Sequence, residues 1–193
     1  HPELSLSPPP VLGELFAVPL LPLNYQPRPD LLEALCRILL SEQNGSGNMI
    51  EPSSYPIPRK FADSAQRVGV HGMGGVGKSV LAQALARQEA IRSRFQDGIF
   101  WLYIGRKPDD NKLLACQSQV ASVFASSLPV FLNVAAGRQE LGRLLKDKAC
   151  LLILDDVWEA TPIQQAFDFE SPASRQLITT RDAAVIDALE AAD

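Results

Sequence analysis

Short apolar runs alternate with longer stretches of helical spacing through most of the chain. Arg67-Val68-Gly69-Val70-His71 reads as a first buried strand. A glycine-rich turn follows, and then Val80, Leu81, Ala84 and Leu85 recur at helical spacing. With Ala82 and Ala86 adding propensity, this predicts a helix to about residue 92. The second strand is Gly98 to Ile104, where Ile99, Phe100, Trp101, Leu102 and Tyr103 are all apolar or aromatic. Helical patterns occupy roughly 109–126 and 137–147. The third strand, Cys150-Leu151-Leu152-Ile153-Leu154, is near-continuously apolar, which requires cover on both faces. A short helix near 161–167, a fourth strand at 176–180 and a last helix at 183–189 complete the pattern. Such alternation predicts an α/β fold of three αβα layers around a parallel sheet, joined by right-handed crossovers. There is no internal repeat.

Upstream the rhythm breaks. Residues 1–27 carry seven prolines and few polar helix formers, which predicts an extended arm and not a packed element. Arg28-Pro29-Asp30 then opens a helix, since proline suits the first turn and Asp30 complements the dipole. Leu31, Leu32, Leu35, Ile38 and Leu39 form its apolar stripe to about residue 41. Residues 43–66, with Asn44-Gly45-Ser46-Gly47 and Pro52, Pro56 and Pro58, read as a long mobile loop. The expected organisation is an arm, 1–27, followed by one domain, 28–193.

Composition narrows the function classes. A 46% hydrophobic content in 193 residues can bury a sizeable core. A net charge of −4 and a pI near 5.2 supply no basic stripe, so nucleic acid is not expected as a direct partner. Cys36, Cys116 and Cys150 are widely spaced in apolar patterns, which suggests reduced core thiols in a cytoplasmic protein. No apolar run reaches a membrane span, and residues 11–23 are broken by Glu14, Pro19 and Pro22. No basic N-terminal region marks a secretory signal, and the chain opens at His1 without a methionine, which suggests an excised fragment with a frayed end.

The turn between the first strand and its helix is Gly72-Met73-Gly74-Gly75-Val76-Gly77-Lys78-Ser79. It meets the phosphate-loop pattern G-x-x-x-x-G-K-[ST] at every required position. Average residue frequencies give that pattern in under about one chain in a hundred of this length. Backbone N–H groups on such a turn can wrap phosphates, and the helix N-terminus adds roughly half a positive charge. Lys78 would reach the β- and γ-phosphates and the Ser79 hydroxyl would ligate Mg²⁺. The third strand ends in Asp155-Asp156, so it delivers a carboxylate beside the loop, as Mg²⁺ requires. Asp155 is the candidate metal residue, acting through water. Asp156 is the candidate for orienting or activating the attacking water. Thr179-Thr180-Arg181 ends the next strand, where Arg181 could hydrogen-bond the γ-phosphate and report its presence. Trp101 and Trp158 read as packing residues and His71 as a strand-end hydrogen-bonder. Two histidines and unclustered cysteines give no zinc site. Ser79 lacks the partners of a nucleophile.

Four ordered stretches together resemble the NB-ARC (AP-ATPase) domains of the STAND P-loop NTPases, which include animal apoptotic and plant disease-resistance proteins. They are the phosphate loop, Phe95-x-x-Gly98-x-x-Trp101, Leu151 to Trp158 and Leu177-Ile178-Thr179-Thr180-Arg181. Val18 to Pro22 and Tyr25 to Leu32 also look like the segment preceding the phosphate loop in animal members. The likeness spans about residues 17–182, with poor fit in 43–66. By resemblance the domain is a nucleotide switch. ADP locks a closed monomer, and ATP permits ring-like assembly with other copies of the full-length protein and recruitment of an effector. The same likeness puts Gln26 and Arg28 near adenine, Gly75, Gly77, Lys78, Ser79 and Val80 on the phosphates, Asp155 and Asp156 on metal and water, and Arg181 as first sensor. If Arg28 touches nucleotide, the arm before it is ordered by ligand despite its composition.

The chain ends soon after Arg181, before the family's Gly-x-Pro segment and winged-helix histidine motif. The family's strand order 5-1-4-3-2 therefore predicts 1-4-3-2 here, with the fifth strand missing and the phosphate-loop strand left as an exposed edge. The expected function is an ADP- or ATP-binding, Mg²⁺-dependent switch with slow hydrolysis. A turnover ATPase of motor or loader type is the alternative, and it would require an arginine finger that no residue here identifies. A scaffold with a decayed site is a third reading, against which Lys78, Ser79 and Asp155 weigh.

Overall fold

The computed structural model describes residues 11–41, 57–60 (backbone only), 67–127 and 129–191. In chain order the elements are β1 (Leu15–Phe16), α1 (Pro29–Leu40), β2 (Ile57–Lys60), β3 (Arg67–His71), α2 (Lys78–Ala86), α3 (Glu89–Arg94) and β4 (Gly98–Tyr103). Then come α4 (Asp110–Phe124), α5 (Val134–Leu145), β5 (Cys150–Val157), α6 (Ala160–Phe167), β6 (Arg175–Thr180) and α7 (Ala183–Glu190).

One sheet runs in the order β1-β4-β5-β6-β3-β2. Every neighbouring pair is parallel except β2 with β3. Because side chains alternate along a strand, the apolar runs feed two cores. Ile99 and Trp101 of β4, with Leu151 and Ile153 of β5, join Leu35, Leu85, Ile91 and Phe95 on one face. Phe100, Leu102, Leu152 and Leu154 join Leu113, Leu141, Phe167 and Ile186 on the other. Helices α1–α3 thus cover one side and α4–α7 the other, the three-layer α/β architecture expected.

The four inner strands have the order foreseen from the phosphate-loop strand outward, β3-β6-β5-β4. Both edges differ from expectation. The phosphate-loop strand is not an exposed edge: β2 pairs antiparallel with it from Ile57↔His71 to Lys60↔Val68. Those residues fall in the stretch read as a mobile loop, and the rest of 43–66 lies outside the described residues. Pro58 disguised the strand, yet proline is tolerated on an edge, where its missing N–H breaks no ladder.

At the other edge, Leu15 and Phe16, in the segment read as an unpacked arm, pair parallel with Ile99 and Phe100 of β4. The ring of Phe16 stacks on Phe100 with centroids 4.6 Å apart. The Gly13 N–H donates to the Arg92 carbonyl and the Arg92 Nε donates back to the Gly13 carbonyl, and a Cβ at Gly13 would run into the Phe95 carbonyl. Prolines suppress helix but not pairing at an edge, so the composition misled there.

Two helices also shift. The single helix expected to residue 92 breaks at Arg87-Gln88, which lets α3 sink Ile91 and carry the chain on to the buried Phe95. Helix α5 begins at Val134, earlier than foreseen, because the Asn133 side chain accepts the N–H of Ala136 as an N-cap.

Candidate functional site

The carboxyl ends of β3, β5 and β6 are neighbours in the sheet, so whatever the chain places just beyond them converges. Beyond β3 lies the glycine turn. Gly75 has φ 81° and Gly77 φ 91°, left-handed values that side chains resist. Gly77 occupies the N-cap position of α2, so the turn leads directly into the helix N-terminus. Lys78, the first helical residue, is buried and its Nζ donates to the carbonyls of Gly72 at 2.7 Å and Met73 at 2.9 Å. Burial and then the charge of Arg181 push its pKa down, opposed by Asp156 and Asp155. Met73, Gly74 and Gly75 are exposed along the crest, and Val76, Ser79 and Val80 are half-buried.

Beyond β5 stand the two carboxylates, and they have different partners. Asp155 is buried; its Oδ1 accepts from the Ser79 hydroxyl at 2.7 Å and from the Thr179 hydroxyl at 2.6 Å. Asp156 sits at φ 58°, in a register shift between Leu154 and Val157 in the pairing of β5 with β6. A bulge of this kind re-aims a side chain at the end of a strand. The left-handed backbone is held because the Asp156 N–H donates to Thr179 Oγ1 at 2.9 Å. Its carboxylate faces Arg181, with Nε 3.6 Å from Oδ1, and the Tyr103 hydroxyl, 3.4 Å from Oδ2.

Beyond β6, Arg181 lies against the loop itself. A Cβ on Gly74 would come within 2.9 Å of Arg181 Nη1. The guanidinium also rests near the Trp158 ring, 4.9 Å from its centroid. Arg106 lies 4.7 Å from the same centroid.

The structure therefore brings together Gly72 to Ser79, Asp155, Asp156 and Arg181. Val80 follows on the first turn of α2. Upstream, Arg28 Nη1 donates to the Val76 carbonyl at 2.9 Å, so the residue before α1 does touch the phosphate loop. Gln26 is exposed two residues earlier. Thr179, Tyr103, Trp158 and Arg106 were not singled out for the site in the sequence. Thr179 carried a signal, a hydroxyl near the end of the strand beside the acidic one. Trp158 closed one of the stretches that carried the resemblance but read as packing, and Tyr103 and Arg106 carried no signal, because only the fold sets the ends of β4, β5 and β6 side by side.

Ser79 Oγ and Asp155 Oδ1 form a pair of hard oxygen donors next to a phosphate-binding turn. That donor set fits Mg²⁺, which takes one or two protein oxygens and completes its octahedron with water and phosphate.

Human apoptotic protease-activating factor 1 is 34% identical over 128 residues, 63% of this chain and 10% of that protein. The zebrafish (Danio rerio) protein of the same name is 31% identical over 150 residues, 74% of this chain and 11% of the relative. A disease resistance protein of Arabidopsis thaliana is 28% identical over 145 residues, 71% of this chain and 14% of the relative. The chain thus spans only a small part of the length of the relatives it matches. The NB-ARC domain profile matches residues 59–193, well over half of the chain and every motif from β3 onward. The chain belongs to the NB-ARC family of nucleotide-binding domains.

Proposed function

We propose that this domain is an ADP/ATP switch of a larger signalling protein, hydrolysing ATP slowly with Mg²⁺. The observation that carries the reading is the Ser79–Asp155 contact at 2.7 Å. It joins the end of the phosphate loop to the end of the acidic strand, where a metal-bound phosphate chain would lie. Glycine N–H groups of the loop bind the α- and β-phosphates, and Lys78 exchanges its two carbonyl partners for phosphate oxygens. Ser79 and Asp155 would hold Mg²⁺, which on binding neutralises charge on the β- and γ-phosphates. Arg181, already against Gly74, takes the γ-phosphate. Asp156 orients water, but it shares its carboxylate with Arg181 and Tyr103, which suits slow turnover better than a motor. Arg28 couples the upstream segment to the loop through Val76, and Gln26 would lie beside the base.

Moving a switch from about 1:99 to 99:1 needs roughly 5.5 kcal/mol of differential affinity. Charge-assisted contacts of the γ-phosphate with Lys78, Arg181 and the cation, at about 1.5–3 kcal/mol each, reach that figure. In the full-length protein, in the cytoplasm, the ATP form would assemble with other copies and engage an effector; the name of the apoptotic relative, a protease-activating factor, supports the effector part of this reading.

The test is thermal. ADP at about 100 Kd adds roughly 2.7 kcal/mol to a folded state with an intact site, and Tm rises accordingly. Lys78→Ala should abolish that rise, whatever its own effect on the unliganded Tm. A Lys78→Ala variant with the full nucleotide-induced shift would overturn the assignment. Nucleotide content after gentle purification separates the two ATPase readings. Retained ADP supports the switch, whereas empty protein with fast multiple turnover supports the motor.

A further inference from the structure

Trp158 does not behave as the packing residue its sequence suggested. It follows β5 by one residue and is half-buried, and two guanidinium groups come to its ring. Arg106 arrives from beyond β4 with its Cζ 4.7 Å from the centroid, and Arg181 from beyond β6 at 4.9 Å. Both arginines are exposed, and exposed arginines carry large rotamer entropy, so a fixed position needs a cause. For Arg181 three constraints are on hand: the indole face, the Asp156 carboxylate at 3.6 Å, and the wall made by Gly74. The ion pair is long and half-exposed and so contributes little alone. Indole is the best of the aromatic faces for a cation.

The geometry points to Trp158 as a positioning residue: its ring gathers Arg181 and Arg106 at the mouth of the phosphate loop, so that a nucleoside triphosphate is preferred over the diphosphate. This rests on the nucleotide reading above and extends it to the source of selectivity. Arg181 touches the terminal phosphate; Trp158 acts through Arg181 by holding it in the bound orientation before ligand arrives, which reduces the ordering cost of binding. Arg106 sits on the same ring and adds a second positive charge without reaching into the loop. A diphosphate, which ends short of this cluster, is indifferent to the ring.

The experiment uses Trp158→Leu, Trp158→Phe, Arg106→Ala and Arg181→Ala, with Mg²⁺ plus either ADP or a non-hydrolysable ATP analogue, read by calorimetry. Trp158→Leu should weaken the triphosphate about 3- to 10-fold and change ADP less than about twofold. Trp158→Phe should restore most of the loss, and Arg106→Ala should cost about twofold on the triphosphate alone. Adding Trp158→Leu to the Arg106→Ala/Arg181→Ala double variant should produce no further loss, since the ring acts only through those two arginines. A second readout needs no nucleotide: the Arg181 Nε–Hε resonance should be ring-current shifted in wild type and return toward its free value in Trp158→Leu. An unchanged ratio of the two affinities in Trp158→Leu, or an Arg181 resonance that does not move, overturns the proposal. Equal losses for both nucleotides also overturn it, because they would mark a general packing role. Wild-type protein that binds neither nucleotide would overturn the switch reading itself, an outcome distinct from a lost preference. If Trp158→Leu does not fold, the cycle of Trp158→Phe with the Arg106→Ala/Arg181→Ala double variant decides: a partial triphosphate loss that vanishes on that background is required.

Discussion

Thr179 donates to Asp155 Oδ1 and accepts the N–H of Asp156, so one buried hydroxyl sets the relation between the two site acids. Valine at this position keeps the shape and removes both bonds. The Asp156 N–H would lose the bond that steadies a left-handed backbone, and Asp155 would keep Ser79 alone. Thr179→Val should therefore cost about 1–3 kcal/mol, read as a lower urea midpoint at unchanged slope. Mg²⁺-dependent nucleotide binding should weaken more than binding without Mg²⁺, and Thr179→Ser should restore both. Lys78 shows the same economy at this scale. Its ammonium is desolvated and pressed by Arg181, so its pKa is lowered, and it caps two loop carbonyls that would otherwise face inward. Because nucleotide phosphates favour the charged amine, affinity should fall as pH rises through the lowered Lys78 pKa.

Among the elements, the edge strands gain most from tertiary context. β1 is only two residues long, too short to form by itself, and it is held by Phe16 on Phe100 and by the Ile99 N–H on the Glu14 carbonyl. Arg87 adds a bond to the Pro19 carbonyl, so the segment upstream of α1 is anchored along α2 and α3. Phe16→Ala should cost about 1–3 kcal/mol from lost half-buried area and ring stacking. Its local signature is in hydrogen exchange: the Ile99 amide should lose protection, while the Leu152 amide in the central strand keeps most of its own. Comparable loss at both sites would mean that β1 supports the whole sheet and not one edge.

For the molecule as a whole, the two cores leave Cys150 and Cys116 buried in apolar surroundings. Burial raises both thiols, with Cys150 pushed up to about 12. The unfolded chain releases the Cys150 proton near 9.0 and the folded chain near 12, so the folded state holds the extra proton between those values. Stability from this group is constant below about pH 9 and falls by up to about 1.4 kcal/mol per pH unit above it. Cys150→Ala should flatten part of the alkaline decline in urea midpoint between pH 9 and 10.5, once its own cavity cost is subtracted as a constant offset. Neither thiol should react with an aromatic disulfide reagent at pH 8 until the protein unfolds, whereas half-buried Cys36 should react slowly.

Local rules in the sequence determined the inner architecture. The runs around Val68–Val70, Ile99–Leu102, Leu151–Leu154 and Leu177–Ile178 read as strands covered on both faces, and the turn from Gly72 to Ser79 met the phosphate-loop pattern. Each signal is contained within a dozen residues and depends on period, backbone freedom or side-chain chemistry alone. What tertiary structure decided was everything resting on partners distant in the chain. Pro58 sits in a strand because β3 offers an edge that needs no N–H from it. Leu15 and Phe16 are ordered by a strand more than eighty residues away in sequence. Thr179 and Trp158 acquired their contacts only when the ends of β4, β5 and β6 came side by side. Periodicity fixes which face a residue shows, but a partner across the sheet exists only once the sheet is assembled.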